Sequence, residues 1–202
     1  MIKVTLVLAA SVALGGCTGN KASTSGSCPS EWTVLRGTQE ADSSNCATFI
    51  GTSAEVNPSF DWWGASFDRK ASPKGTSLKI EAKFSRPLDD GDRPVDLHFR
   101  GGYFGVAQDK YYFWEGDTEP EKPAPANAHW TQWQATKVDV GQETTIAVRQ
   151  KGADLEGFIN GALVGTFKLN VTPAPGPVGI GFKSASGRAA KVKLRDFLVT
   201  EL

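Results

Sequence analysis

The segment Thr76–Phe84 alternates strictly between apolar and charged residues. Its apolar positions are Leu78, Ile80, Ala82 and Phe84, and its charged positions are Lys79, Glu81 and Lys83. Successive side chains of a β-strand point to opposite faces, so a period of two predicts a strand with one buried face. The segment Val95–Arg100 alternates in the same way, with Asp96, His98 and Arg100 at the polar positions.

The rest of the chain repeats this organisation in short runs separated by glycine, proline, asparagine and aspartate. Further strands are predicted over residues 144–150, 155–159, 162–169, 178–182 and 192–202. Asn160-Gly161 separates two of them and favours a two-residue hairpin turn in which both residues have positive φ. No run has a convincing helical period. Short strands at this spacing predict an all-β fold, an antiparallel β-sandwich.

The amino terminus follows a different pattern. Lys3 precedes the apolar run Val4–Leu14, which is the layout of a signal peptide and is about half the ~20 residues that a membrane-spanning helix needs. The run ends in Leu14-Gly15-Gly16-Cys17, which resembles the bacterial lipobox, where the cysteine is acylated and becomes the first mature residue. The resemblance implies a signal peptide over residues 1–16, a lipidated Cys17 and attachment to a membrane through that lipid.

Residues 17–27 are rich in serine, threonine and glycine, a composition typical of a flexible tether. We predict a single domain over residues 28–202, because this length supports one hydrophobic core. Thr18 stands where an aspartate would follow the acylated cysteine. A residue other than aspartate at this position resembles the signal for sorting to an outer membrane. We therefore expect an exported protein that is lipid-anchored there.

The cysteine count agrees with export. With Cys17 assigned to lipid, Cys28 and Cys46 remain as an even pair in an oxidising compartment, and we expect them to form a disulfide. A metal site is the alternative. The histidines are His98 and His129, and neither lies at a ligand spacing from either cysteine.

The charge balance narrows the classes of partner. Lysine and arginine number 22, and so do aspartate and glutamate. A neutral chain without basic clusters has no field that attracts nucleic acid. We therefore expect no nucleic-acid partner, and we expect a monomer.

The carboxyl-terminal third carries motifs specific enough to suggest a family. ETTIAVRQKGADLEGFINGALVG at 143–165, GPVGIGF at 176–182 and VKLRDFLVTEL at 192–202 resemble the concanavalin A-like lectin/glucanase sandwich. The domain that they resemble most is the 3-keto-disaccharide hydrolase domain, also called DUF1080. This resemblance implies a jelly roll much more strongly than it implies an activity, and the catalytic residues of that family do not map onto this chain.

One acidic motif is a candidate for catalysis. Glu115, Asp117 and Glu119 have the spacing found in family 16 glycoside hydrolases on this fold. Retaining enzymes of that kind need two carboxyl groups about 5–5.5 Å apart. Here Gly116 and Thr118 separate the carboxylates, and these residues favour an acidic surface loop as the alternative.

A second candidate site is a glycan groove. Sugar rings stack on aromatic side chains while their hydroxyl groups bond to polar residues. The predicted groove consists of Arg100, His98, Tyr112 and Trp114, with Trp62 or Trp63 as a stacking platform. Tyr112 and Trp114 are expected to share one face of their strand, and His98 is also a candidate general base. Core packing is the alternative use of these aromatics.

An oxygen-rich turn is the remaining candidate. Asp89, Asp90 and Asp92 are possible ligands of a structural calcium ion, although such a turn also occurs without a metal, and no other cofactor is expected. The predicted function is binding of a saccharide or cell-surface glycan. Two alternatives stay open: a glycoside hydrolase of the 3-keto-disaccharide type, and a non-catalytic adhesion or envelope module with a protein partner.

Overall fold

The computed structural model describes residues 32–34, 38–40, 47–51, 66–69, 73–85, 94–116, 129–138, 140–141, 143–182 and 190–202. These residues contain no helix long and apolar enough to cross a membrane. The lipidation signal at Cys17, the tether and the Cys28–Cys46 pair lie outside the described residues and remain predictions.

The described residues form fourteen strands. In chain order these are β1 (Trp32–Val34), β2 (Thr38–Glu40), β3 (Ala47–Gly51), β4 (Ser66–Arg69), β5 (Ser77–Ser85), β6 (Val95–Phe99), β7 (Gly102–Val106), β8 (Lys110–Glu115), β9 (Gln134–Ala135), β10 (Glu143–Lys151), β11 (Asp154–Ile159), β12 (Ala162–Lys168), β13 (Gly179–Phe182) and β14 (Ala190–Glu201).

The strands form two seven-stranded sheets in which every pairing is antiparallel. The front sheet has the order β1-β4-β13-β6-β7-β8-β9, and the back sheet has the order β12-β11-β10-β5-β14-β3-β2. Strands that are distant in sequence therefore lie side by side, as β13 does between β4 and β6. This arrangement brings the middle and the end of the chain together in the front sheet.

The strictly alternating strand β5 lies at the centre of the back sheet. Its residues Leu78, Ile80, Ala82 and Phe84 are buried. Ile80 lies opposite Val148 of β10 and Val199 of β14, so one face of three strands packs into the core. The predicted strand and its buried face are confirmed.

The hairpin between β11 and β12 also follows from the sequence. Asn160 has φ 48° and Gly161 has φ 81°, so both turn residues have the positive φ that was predicted. The Asn160 side chain also accepts a hydrogen bond from the backbone N–H of Thr145 at 2.9 Å. The return strand ends at Lys168, one residue before the predicted end, and the N–H of the buried Leu169 still donates to the Ala153 carbonyl at 2.9 Å.

The core lies between the sheets and is rich in aromatic rings. Phe104 and Phe113 stack with their centroids 4.7 Å apart, and Phe167 of the back sheet stacks on Phe113 at 5.6 Å. Burying one such ring stabilises the fold by about 1.5–3 kcal/mol. The Tyr111 hydroxyl donates to the Val164 carbonyl at 2.6 Å, which links the sheets directly. The predicted all-β antiparallel sandwich is confirmed.

Candidate functional site

Aromatic side chains lie side by side on the outer face of the front sheet. His98 of β6 pairs with Tyr103 of β7, and Tyr103 pairs with Trp114 of β8. Trp114 forms an isolated bridge with Trp130. Directly paired residues of antiparallel strands share a face, and the sequence neighbours of these residues fill the core. The four side chains therefore point away from the back sheet, and we call them the aromatic row.

The aromatic row is half-buried along its whole length. The His98 ring meets the Tyr103 ring edge-on with centroids 4.4 Å apart, and the Trp114 and Trp130 rings are tilted with centroids 5.9 Å apart. Neighbouring strands are about 4.8 Å apart, so four adjacent positions span roughly 14 Å. This length accommodates more than one sugar ring.

A polar layer on the same face supports the row. Tyr112 and Asp96 are each 4% exposed, and the Tyr112 hydroxyl donates to Asp96 Oδ1 at 2.7 Å. Burial and then the Asp96 carboxylate raise the pKa of Tyr112 well above its usual 10, so this hydroxyl remains a donor. Gly105 lies between them, and a Cβ there would come within 2.1 Å of the Tyr112 ring.

Two tryptophans cover Tyr112 from outside. Its ring meets Trp133 edge-on at 4.8 Å and Trp130 at 6.4 Å. Lys110 Nζ lies 5.1 Å from the centre of the Trp133 ring. Tyr112 shares its face with Trp114 as predicted, and the two tryptophans leave it 4% exposed. Its contact with a saccharide remains a prediction.

A cavity of about 620 Å³ opens at one end of the aromatic row. Its lining residues belong to 98–103, to 115–116 and to the segment 171–177. His98 and Tyr103 are thus shared between the cavity and the row. A volume of this size lies within the range of small-molecule sites, about 300–1,000 Å³.

Arg100 lies in the turn at the base of this cavity. Its guanidinium donates to the carbonyl oxygens of Pro73 and Gly75, and its own carbonyl accepts from Gln150 Nε2 at 3.0 Å. Burial lowers the pKa of Arg100, and the Glu201 carboxylate opposes that shift. The side chain is 4% exposed. Its main contacts tie the turn to the back sheet, and it also lines the cavity, so its predicted contact with a ligand remains a prediction.

Glu115, a predicted catalytic carboxylate, also has structural contacts. Its Oε2 lies 2.5 Å from Nδ1 of His129, and its Oε1 accepts the backbone N–H of Asn170 at 2.8 Å. Burial works against ionisation, but the hydrogen bonds from His129, Asn170 and Val171 outweigh it, so the pKa of Glu115 lies below its usual 4.5. At neutral pH the carboxylate is ionised and hydrogen-bonded to His129 and Asn170.

Only part of the predicted groove is described. His98 and Trp114 come together in the aromatic row, whereas Tyr112 lies beside it on the same face and Arg100 lines the adjoining cavity. The other predicted site residues lie outside the described part of the chain: Trp62, Trp63, Asp89, Asp90, Asp92, Asp117 and Glu119. In the part that is described, no group of three or more histidine, cysteine, aspartate or glutamate side chains gathers to hold a metal ion.

Sequence reasoning did not place Tyr103 or Trp130 in the site. Alternation around Phe104 is a signal that puts Tyr103 on the outer face, beside the alternation already seen in β6. Trp130 has no such signal, because it lies outside a named strand and reaches the row through a single bridge to Trp114. Trp133 lies in the same segment, three positions after Trp130, and it also covers Tyr112 from outside a named strand.

Solved structures share this architecture. The carbohydrate-binding module CBM66 from Bacillus subtilis superposes with a TM-score of 0.62 at 14% identity, covering 84% of this chain and 95% of the other. A GH16 protein of the Bacteroides ovatus mixed-linkage glucan locus, in complex with a product, has a TM-score of 0.55 at 10% identity and covers 84% and 94%. A functionally unknown Saccharomyces cerevisiae protein has a TM-score of 0.55 at 8% identity, covering 85% and 95%.

These similarities establish the fold as a concanavalin A-like jelly-roll sandwich. A comparison with protein families finds no match, and neither does a comparison with curated protein sequences. The resemblance to the 3-keto-disaccharide hydrolase domain therefore remains a prediction.

Proposed function

We propose that the sandwich binds a saccharide on the aromatic row, with part of the ligand in the adjoining cavity. The observation that carries this proposal is the alignment of His98, Tyr103, Trp114 and Trp130 across the front sheet. Half-buried rings held by neighbouring strands form a pre-organised surface. The apolar C–H faces of sugar rings stack on such a surface.

The polar groups beside the row suit the hydroxyl groups of a sugar. His98 and Tyr103 both line the cavity, and an imidazole and a phenol hydroxyl each offer hydrogen-bonding atoms. Small-molecule sites combine an apolar lining with a few polar groups that fix orientation. The similarity in fold to CBM66 and to the GH16 protein supports this class of ligand.

Binding is favoured over hydrolysis by the state of Glu115. Both of its carboxylate oxygens accept hydrogen bonds from Asn170, and Oε2 also contacts His129. A nucleophilic or acid/base carboxylate must instead face the scissile bond of a bound sugar.

A saccharide panel tests the proposal. The purified protein is titrated with neutral and acidic polysaccharides and their oligosaccharides by calorimetry. The variant Trp114→Ala is expected to bind about thirtyfold more weakly, because loss of a central aromatic contact costs about 2 kcal/mol. Phe158→Ala is the matched control, because Phe158 is a half-buried ring on the outer face of the back sheet. Equal losses in both variants, or no ligand in the panel, would refute the proposal.

We further propose that the domain acts at a membrane surface through lipid on Cys17. The sequence Leu14-Gly15-Gly16-Cys17 supports this placement. A saccharide bound by an anchored domain would belong to the cell envelope or to glycan captured beside it. Mass spectrometry of the mature amino terminus is the test, and an unmodified Cys17 would contradict it.

A further inference from the structure

The carboxylate of Glu115 joins two parts of the molecule that are far apart in sequence. It lies at the end of β8 in the front sheet and accepts the backbone N–H of Asn170 at 2.8 and 3.0 Å. Asn170 Nδ2 donates to Oε2 at 2.9 Å, and the backbone N–H of Val171 lies 3.4 Å from Oε1. Asn170 and Val171 follow β12 of the back sheet. One side chain thus bridges the two sheets at this end of the sandwich.

The residues it holds form a wall of the cavity. This wall consists of residues 170–177, and we call it the 170–177 wall. Val171, Pro173 and Pro177 are among its residues that line the cavity. Within the described residues, the hydrogen bonds that reach the wall all end on the Glu115 carboxylate. Packing also holds the wall, since a Cβ on Gly101 would lie 3.4 Å from the Pro173 side chain and a Cβ on Gly152 would lie 3.8 Å from Thr172 Cγ2. The Glu115 carboxylate therefore supplies the hydrogen bonds at the start of the wall, between the buried residues Leu169 and Val178.

His129 completes the cluster. Its Nδ1 lies 2.5 Å from Glu115 Oε2, and its ring packs on Phe167 at 4.6 Å. An ionised carboxylate only accepts hydrogen bonds, so the Nδ1 atom must carry a hydrogen in this contact. The backbone N–H of Glu115 donates to the His129 carbonyl at 2.9 Å, which brings the imidazole alongside. The histidine thereby orients the carboxylate toward Asn170.

We propose that Glu115 is a positioning residue that holds the 170–177 wall in place and so sets the affinity of the cavity for its ligand. The part that concerns the ligand rests on the proposed saccharide binding, and the part that concerns the wall does not. The role requires a carboxylate, because a glutamine would turn an N–H₂ group toward the donors of Asn170. Other titratable or charged groups at this cavity are His98, Arg100 and Tyr103.

Hydrogen–deuterium exchange of the ligand-free protein tests the wall directly. In Glu115→Gln, peptides covering 170–177 are expected to exchange about tenfold faster or more, because the amides of Asn170 and Val171 lose a charged acceptor. Peptides from β10 should be unchanged. Glu156→Gln is the matched control, because Glu156 pairs with Arg149 on the half-exposed outer face of the back sheet. Unchanged exchange of 170–177 in Glu115→Gln would overturn the proposal.

Ligand titration then tests the effect on affinity. With the saccharide found in the panel, Glu115→Gln is expected to bind about tenfold more weakly than the wild type, and Glu115→Asp should recover part of that loss by restoring the carboxylate. The affinity of the wild type should fall at acidic pH as Glu115 is protonated, and this part of the pH dependence should be absent in Glu115→Gln. Faster exchange without any saccharide binding would refute the proposed function but keep the role in the wall. Faster exchange with unchanged affinity would overturn the link to binding.

Discussion

The outer faces of the two sheets arise from the same alternation but carry opposite chemistry. On the back sheet the outward positions are charged and paired, as in Lys79–Glu81 at 2.6 Å and Lys83–Glu143 at 2.9 Å. On the front sheet the outward positions are aromatic, as in Tyr103 and Trp114. Half-exposed ion pairs contribute about 0–1 kcal/mol each, whereas half-buried aromatic rings expose apolar surface that a partner can cover.

This difference separates a solvated face from the face on which we propose that a saccharide binds. The back-sheet charges satisfy one another and need no partner. The front sheet instead places a buried polar layer, Asp96 and Tyr112, beside the aromatic row on the same face. A layer of that kind costs free energy unless it is hydrogen-bonded, and the Tyr112 ring contacts Trp130 of the row. The following changes test whether the front face depends on that layer and the back face does not.

The largest effect is expected at Gly105. In Gly105→Ala the new methyl carbon would lie 2.1 Å from the Tyr112 ring and 2.4 Å from Asp96 Oδ1. Overpacking of this severity should lower the free energy of unfolding by about 3 kcal/mol, measured by chemical denaturation, and should also displace the aromatic row. Thr145→Val on the outer face of the back sheet should change it by less than about 0.5 kcal/mol. Comparable losses at both positions would remove the distinction between the faces.

The hydrogen bond between Tyr112 and Asp96 should have the next largest effect. Tyr112→Phe leaves a buried carboxylate without this donor, at a cost of about 1–3 kcal/mol in the free energy of unfolding. A double-mutant cycle with Asp96→Asn measures the coupling between the two side chains. If the effects of the two substitutions on the free energy of unfolding simply add, the hydrogen bond between Tyr112 and Asp96 does not stabilise the front sheet.

How much of the fold and of the candidate site the sequence predicts depends on how far apart in sequence the interacting residues lie. The buried face of β5 and the Asn160-Gly161 turn follow from local period and local backbone preference, and both were predicted correctly. The shared face of Tyr112 and Trp114 followed for the same reason. Whether Tyr112 lines a groove did not follow, because Trp133 covers it from a segment more than twenty residues away along the chain.

The cluster around Glu115 shows the same limit more clearly. Glu115 and Asn170 are 55 residues apart, and no local pattern relates them. The acidic spacing of Glu115, Asp117 and Glu119 suggested catalysis, whereas the contacts of Glu115 depend on which loop of the back sheet lies against the end of β8. Strand order is set by the global packing of the core, and alternation along one strand does not specify it.

A smaller effect is expected from pH. The pKa of Glu115 is lowered in the folded protein, so the stability that it contributes is fully present above its usual value of 4.5 and is lost as the pH falls through the lower folded value. Denaturation of the wild type and of Glu115→Gln as a function of pH should therefore give a difference that shrinks toward zero in acid. A difference that is constant with pH would show that ionisation of Glu115 has no part in it.

The smallest effect is expected on the back sheet. Glu81 is half-exposed and pairs with Lys79 on the solvent-facing side of the sheet. Glu81→Gln should therefore change the free energy of unfolding by less than about 0.5 kcal/mol. Saccharide affinity should also stay unchanged in Glu81→Gln, because the side chain lies on the face opposite the aromatic row. Calorimetric titration of Glu81→Gln and of Trp114→Ala with the same saccharide measures this contrast. If Glu81→Gln weakens binding while Trp114→Ala does not, the ligand occupies the charged face, and the assignment of the two faces must be reversed.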